Sequence, residues 1–286
     1  MSTDTSYVAA SSTAERADAE EELTLAGGRR FSSGRLLYGA LGIFLALLVW
    51  QVLAYLRDDP VLEPTVQEIA RTFVDYMTTK YPAVVGHTLW QHALISAARI
   101  GVGWGAGVLI GIAVGGLMAS VPLARQIIDP LIEITRPLPP LAFIPLFIVW
   151  FGIGETPKFL LILVGVVPIM IIATVAALDA VPDELVQAGR SLGGSPAWVL
   201  LTVRLRSALP AIITGMRLAI GGAWTSIVAV ELIAATSGLG YLINNAGLNL
   251  QVPLVLSGIV SISILGIVFD SLLRLFQRRI DPTRRA

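Results

Sequence analysis

From Val181 to Pro210 the chain reads VPDELVQAGRSLGGSPAWVLLTVRLRSALP, a stretch too polar to cross a membrane yet set between long apolar runs. Pro182 can open a helix, where its missing N–H costs nothing, and Asp183 and Glu184 suit the positive end of the helix dipole. Arg190 suits the negative end, and Gly193-Gly194 can take the positive φ that stops a helix. Ser195 then reads as an N-cap and Pro196 as the first residue of a second helix. Leu185, Ala188 and Leu192 recur at helical spacing, as do Trp198, Leu201, Leu205 and Leu209, and each set predicts one apolar face. The stretch is a helical hairpin that protrudes from a membrane body, with an apolar side expected to pack on that body.

Composition supports the membrane body. Over 286 residues the chain is 55% hydrophobic and 14% charged, with mean hydropathy +0.77. A soluble domain could not hide that much apolar surface. Net charge is zero, which leaves no basic footprint for nucleic acid. The chain has no cysteine, so disulfides, thiolate metal sites and cysteine nucleophiles are excluded. Its lysines, Lys80 and Lys158, do not follow glycine, so no phosphate-binding loop of the G-K-[ST] kind exists and the chain does not hydrolyse ATP by that route.

Apolar runs predict six spans near 36–56, 102–118, 138–152, 158–178, 210–230 and 254–273. The stretch 87–100, with His87, His92 and Arg99, is read as the outer extension of the second span. Thr65 to Lys80 carries Val66, Ile69, Phe73 and Tyr76 at helical spacing, which predicts an amphipathic surface helix. Residues 1–34 are polar, Ser/Thr-rich and acidic, read as a disordered cytoplasmic tail, and 281–286 form a short C-terminal tail. Arginines cluster before the first span, in the hairpin and after the last span, so both termini and the hairpin are expected in the cytoplasm. The membrane domain is 35–280, with the hairpin at 181–210.

Within the spans, Gly103, Gly107, Gly111 and Gly115 make a stripe of small residues, for close packing within one subunit or at a subunit interface. Pro137, Pro139, Pro140 and Pro145 cannot share one regular helix. Irregular backbone at membrane depth must be buried in protein or line a cavity, so Arg136, Pro140 and Pro145 are candidate pathway residues. Glu133 and Arg136 can pair across one turn there. Arg217 is a costly intramembrane charge, at about 2.5–3.5 kcal/mol on insertion scales, placed where it can snorkel to the interface. Trp224, Thr225 and Glu231 complete the pathway candidates, while Asp270 is expected to meet Arg274 four residues on. The histidines share no helix face and have no nearby carboxylate, so they read as packing residues rather than metal ligands.

The hairpin resembles the EAA loop of the inner-membrane permease subunits of ABC importers. That motif runs E-A-A, three residues, G, nine residues, then I-x-L-P, and falls here on Gln187, Ala188 and Gly189, on Gly193, and on Val203, Arg204, Leu205 and Arg206. Gln187 stands for the glutamate, Gly189 for the second alanine and Arg206 for the final proline, which defers the expected break in the second helix to Pro210. The segments RPLPPLAFIPLFIVWFGIGE, LPAIITGMRLAIGGAW and VAVELIAATSGLGYLI are similar to those of the taurine, alkanesulfonate and nitrate type of permease. The resemblance implies an all-α polytopic protein with the type I ABC importer permease fold in a bacterial plasma (inner) membrane. It implies two ATPase subunits that bind ATP and Mg, a second permease copy as a homodimer and an extracytoplasmic binding protein, with no cofactor on this chain. It assigns ATPase coupling to Glu184, Gln187, Ala188, Gly193, Gly194, Ser195, Val203, Leu205 and Arg206, and a small anion such as a sulfonate, nitrate or carboxylate as the cargo. The alternative is an ion-coupled secondary transporter, which would call for internal repeats and intramembrane acids; no repeat is clear, and Glu231 and Asp270 sit near span ends.

Overall fold

The computed structural model describes residues 32–57, 59, 61–82 and 86–280. The expected C-terminal tail lies outside the described residues, as does nearly all of the expected N-terminal tail. The chain divides after Val66 into two units. In the first, helix α1 (Ser32–Arg57) is apolar along its length. Past its end the chain folds back: the Trp50 indole donates to Pro64 O at 3.0 Å, and Val66 N–H donates to Gln51 Oε1 at 3.0 Å.

The second unit continues the amphipathic helix α2 (Val66–Thr78), whose Phe73 and Tyr76 pack with Tyr81, Leu89, Leu239 and Leu242. Helix α3 (Leu89–Ser120) confirms that 87–100 extends the second span; at its start the Gln91 side chain accepts the Thr88 N–H at 2.9 Å. The stretch that follows α3 is itself helical, α4 (Pro122–Thr135). The prolines then break the chain as expected: a 3₁₀ turn at Pro140–Phe143 leads into α5 (Ile144–Phe151), bent by 90° from α4. Helix α6 (Glu155–Asp179) leads to the hairpin's first helix, α7 (Asp183–Ser191). A single helix α8 (Pro196–Ala234) carries both the hairpin's second arm and the fifth span. Helices α9 (Leu239–Leu248) and α10 (Val252–Ile280) complete the unit. Among the described residues five helices are long and apolar enough to cross a membrane, or six when α4 and α5 count as one broken span.

One expectation about α8 is corrected. Pro210 lies inside the helix and does not end it; the irregularity comes earlier, as a π-helical stretch at Val199–Arg204. Its wider winding takes up the change between hairpin and span without a break.

The core is α6 held between α3 and α8, with Ile100, Leu161, Ile162, Val166, Met170, Ala219, Ala223 and Ile227 buried along the seam. All four stripe glycines of α3 face α6. A Cβ at Gly103, Gly107 or Gly115 would lie 2.8, 2.7 or 2.8 Å from Ile162, Val166 or Thr174, and one at Gly111 would strike Met170. The stripe therefore serves packing within the chain, while Gly101 and Gly105 have nothing within 4 Å. On the other side of α6, a Cβ at Gly222 would sit 2.6 Å from Gly165 O. Where lipid removes the hydrophobic drive between helices, such close backbone approach supplies the dispersion contact that holds them.

A polar cluster fastens the bundle end opposite the hairpin. Arg99 of α3 grips Glu155 of α6 with two parallel bonds of 2.7 Å, and its Nη1 donates to Glu231 of α8 at 2.8 Å and to Ser237 O at 2.7 Å. Lys158 joins Glu155 at 2.7 Å, so two cations meet two carboxylates. Glu231, 1% exposed, also accepts from Ser96 Oγ at 2.7 Å and Gly240 N–H at 3.0 Å. Gly238 has φ +113°, and any Cβ there would fall on that carboxylate. His92 Nδ1 accepts the Gly238 N–H at 3.0 Å and its Nε2 lies 3.2 Å from Tyr81 O; together these fix the neutral Nε2–H tautomer. Burial pushes the Tyr81 phenol above its ordinary range, against the lowering contact from Asn249.

Gly111→Leu is expected to destabilise the detergent-solubilised protein by at least the ~1–3 kcal/mol of a core overpacking, while Gly105→Leu leaves the thermal midpoint unchanged. Glu231→Leu strands half of the Arg99 charge and is expected to cost about 3–5 kcal/mol. Glu231→Gln keeps one acceptor oxygen, enough for Arg99 but not for the Gly240 N–H as well, and costs less. Thermal unfolding of the four variants, followed by intrinsic tryptophan fluorescence, checks both expectations.

Candidate functional site

Two features on the hairpin side of the bundle form the candidate site. The first is the hairpin. Gly193 adopts φ +81°, its N–H bonds to Arg190 O at 2.9 Å, and the Gly194 N–H bonds to Gly189 O at 3.1 Å. This paired closure is a Schellman motif, which satisfies carbonyls that the end of α7 leaves over. Ser195 Oγ caps the second arm by accepting the Trp198 N–H at 3.3 Å, as its sequence position predicts. Any Cβ at Gly194 would meet the Trp198 ring at 2.6 Å, so only glycine lets that indole fold over the turn.

The packing face differs from the expected one. The arms join where the buried Gly189 meets Val199 and Val203, and a Cβ at Gly189 would lie 3.1 Å from Val203, while Val186 packs on the core of the body. That spacing leaves little room for the motif's second alanine and accounts for the glycine. Of the residues expected to pack inward, Leu205 packs against the core and Leu209 is half-buried, but the others point outward: Leu192 is 83% exposed and Leu201 62%, with Leu185, Ala188 and Trp198 exposed beside them. Helical spacing identifies an apolar face but not what covers it, and the tight valine-glycine seam had already filled the space between the arms. Glu184, Gln187 and Arg206 are exposed too. Arg206 lines a shallow hollow of about 360 Å³ with Leu201, Thr202, Leu205 and Leu209. The hairpin thus presents an uncovered apolar surface with polar residues around it, the composition of a docking face.

The second feature is a groove of about 490 Å³ between the proline break, α6 and α8. Arg136, Pro140, Pro168, Gly222 and Thr225 line it, and Arg136 is its one ionisable lining residue. The expected Glu133–Arg136 pair does not form: Arg136 makes no ion pair among the described residues, and both side chains instead line an adjoining hollow of about 390 Å³. That hollow also holds Arg125, Asp129 and Asp179.

Of the other expected pathway residues, four lie elsewhere. Pro145 sits in the first turn of α5, where the missing N–H is harmless. Trp224 packs edge-on against Phe269 of α10. Glu231 is spent in the Arg99 cluster. Arg217 does not snorkel: it pairs with Asp270 of α10 at 2.9 Å, and Asp270 holds Arg274 as well. A carboxylate within reach on a neighbouring helix offers that guanidinium more than a path to water. The Arg99 cluster and the arginine at the hairpin root, Arg204, were not singled out from sequence. Their partners are more than 20 residues away along the chain, so no local pattern marks them.

The chain matches the model of the binding-protein-dependent transport system inner membrane component family over residues 107–282. It is 40% identical to the taurine transport system permease protein TauC of Escherichia coli (strain K12), over 85% of this chain and 88% of that protein. It is 33% identical to the putative aliphatic sulfonates transport permease protein SsuC of Bacillus subtilis (strain 168), over 90% and 92%. With the nitrate import permease protein NrtB of Synechococcus elongatus it shares 29% identity over 86% and 89%. Among solved structures, a chain of the MetNI methionine ABC transporter, crystallised in inward-facing conformations, superposes with a TM-score of 0.58 at 22% identity, covering 65% of this chain and 93% of that one. The broken third span, the capped hairpin and these relatives together place the chain in the family of ABC importer permeases, with the type I permease fold.

Proposed function

We propose that this chain lines the translocation pathway of an ATP-driven, binding-protein-dependent importer of small oxyanion-bearing solutes, a sulfonate, nitrate or carboxylate. The observation that carries this reading is the pairing of an uncovered apolar hairpin with a groove whose one charge is the unpaired Arg136. The hairpin docks on a separate ATPase, which binds ATP and Mg, through Leu185, Ala188, Leu192, Trp198 and Leu201. Gln187, Gly193, Gly194, Ser195, Val203 and Leu205 shape that contact. Two copies of the chain enclose the pathway, an extracytoplasmic binding protein delivers the solute, and the hairpin and both termini face the cytoplasm. A guanidinium matches the coplanar oxygens of a sulfonate, nitrate or carboxylate with two parallel hydrogen bonds, so Arg136 suits the shared part of these solutes. The acids of the adjoining hollow then oppose retention of the anion. An ion-coupled mechanism needs an intramembrane acid free to titrate, and Glu231 and Asp270 are both engaged with arginine.

The test is uptake into proteoliposomes that hold the chain with its co-purified ATPase and binding protein, using radiolabelled taurine, an alkanesulfonate and nitrate. Uptake of at least one that requires ATP and binding protein is expected; uptake driven by an ion gradient without ATP would overturn the reading. Arg136→Gln is expected to slow anion import about tenfold or more, the scale of a charged hydrogen bond. Gly193→Val, which forces a β-branched residue to φ +81°, is expected to abolish uptake and ATPase co-purification while membrane insertion persists.

A further inference from the structure

We infer that Arg204 is a positioning residue that ties motion of the hairpin to the ends of the transmembrane helices, an inference that rests on the hairpin being where the ATPase docks. Arg204 closes the π-helical stretch at the root of the second arm. Its Nη1 donates to Ala119 O in the last turn of α3 at 3.2 Å, and its Nη2 donates to Leu178 O in the last turn of α6 at 3.0 Å. Those carbonyls belong to helix ends, where partners are missing and the partial charge is negative. The two ends of one planar guanidinium thus hold two different helices.

The connection runs further. Arg204 lies 3.8 Å from Asp179 Oδ1, and Asp179 Oδ2 accepts from Arg125 of α4 at 2.9 Å. Arg125 in turn lies 3.5 Å from Asp129 one turn along α4. Helix α4 ends at the proline break, and Arg136 is its C-cap. A displacement at the hairpin tip therefore meets a chain of charged contacts that leads, through Asp179, Arg125 and α4, to the one charge in the groove. The link between α6 and α7 is a short turn at Ala180–Pro182, which by itself fixes the angle of the hairpin poorly. The second arm is continuous with α8, so movement of α8 needs no such fastener. Movement of α3, α4 and α6 does, and Arg204 is the residue that touches or reaches all three. Physical coupling through such a network requires that the contacts move as a unit.

A residue that merely capped two helix ends would change stability and leave stoichiometry alone. The readout is therefore solute imported per ATP hydrolysed in the reconstituted full complex, a ratio independent of how much complex survives. The chain has no cysteine, so Leu192→Cys gives a unique cross-linking point that reports hairpin docking. Arg204→Met is expected to keep the cross-link and lower the ratio by about three- to thirtyfold, the range of network coupling energies. Arg204→Lys, which cannot span both carbonyls, falls between. Asp179→Asn keeps the two carbonyl bonds and severs the ionic link to α4, so it lowers the ratio less and decides the matter where Arg204→Met does not assemble. Ratios equal to the unsubstituted complex in Arg204→Lys and Asp179→Asn would overturn the inference alone. Import by the unsubstituted complex without ATP would instead remove the underlying reading, and the inference with it.

Discussion

The close approach of α3 to α6 is the constraint on which the rest of this permease depends. With glycine at 103, 107, 111 and 115, the two backbones come near enough that any added Cβ would collide with Ile162, Val166, Met170 or Thr174. Helix α8 closes on the other face of α6 through Gly165 and Gly222. In an apolar solvent, burying leucine against leucine gains little over leaving it in lipid, so packing density must do what the hydrophobic effect does in water. The three-helix sandwich is the frame, and the functional features are built at its two ends and along its open side.

The two ends use charge differently. Opposite the hairpin, the buried Arg99, Lys158 and Glu231 and the half-exposed Glu155 pair with one another and anchor the Ser237–Gly240 turn, which ties three helices and a loop together. At the hairpin end the charges are half exposed and arranged in series, Arg204 to Asp179 to Arg125. Separating Arg99 from the buried Glu231 would leave a charge in a low dielectric, which holds the Arg99 end together.

Between them, the proline break turns a span into two arms at 90° and opens the groove. A regular helix cannot continue through Pro137, Pro139 and Pro140, and Leu138 and Pro140 line the groove at the break. Arg136, at that break, is the groove's one ionisable lining residue.

Much of this was legible from residues alone. Span positions, the broken third span, the two arms of the hairpin, the Gly193 turn and the Ser195 cap follow from hydropathy, proline chemistry and capping, which act over a few residues. Arg136, Pro140 and Thr225 stand out as pathway candidates because their neighbours are irregular or polar locally, and they line one groove. Tertiary structure decided the rest: that the stripe glycines meet α6, that Leu185, Ala188 and Leu192 face outward, that Arg217 seeks Asp270, that Glu231 is consumed by Arg99, and that Arg204 reaches Ala119 and Leu178. Periodicity reports which face of a helix is apolar, and a charge in a span reports that a partner must exist. Neither names the surface or partner that meets it, because that choice is made by helices that are distant in sequence and come together only when packed.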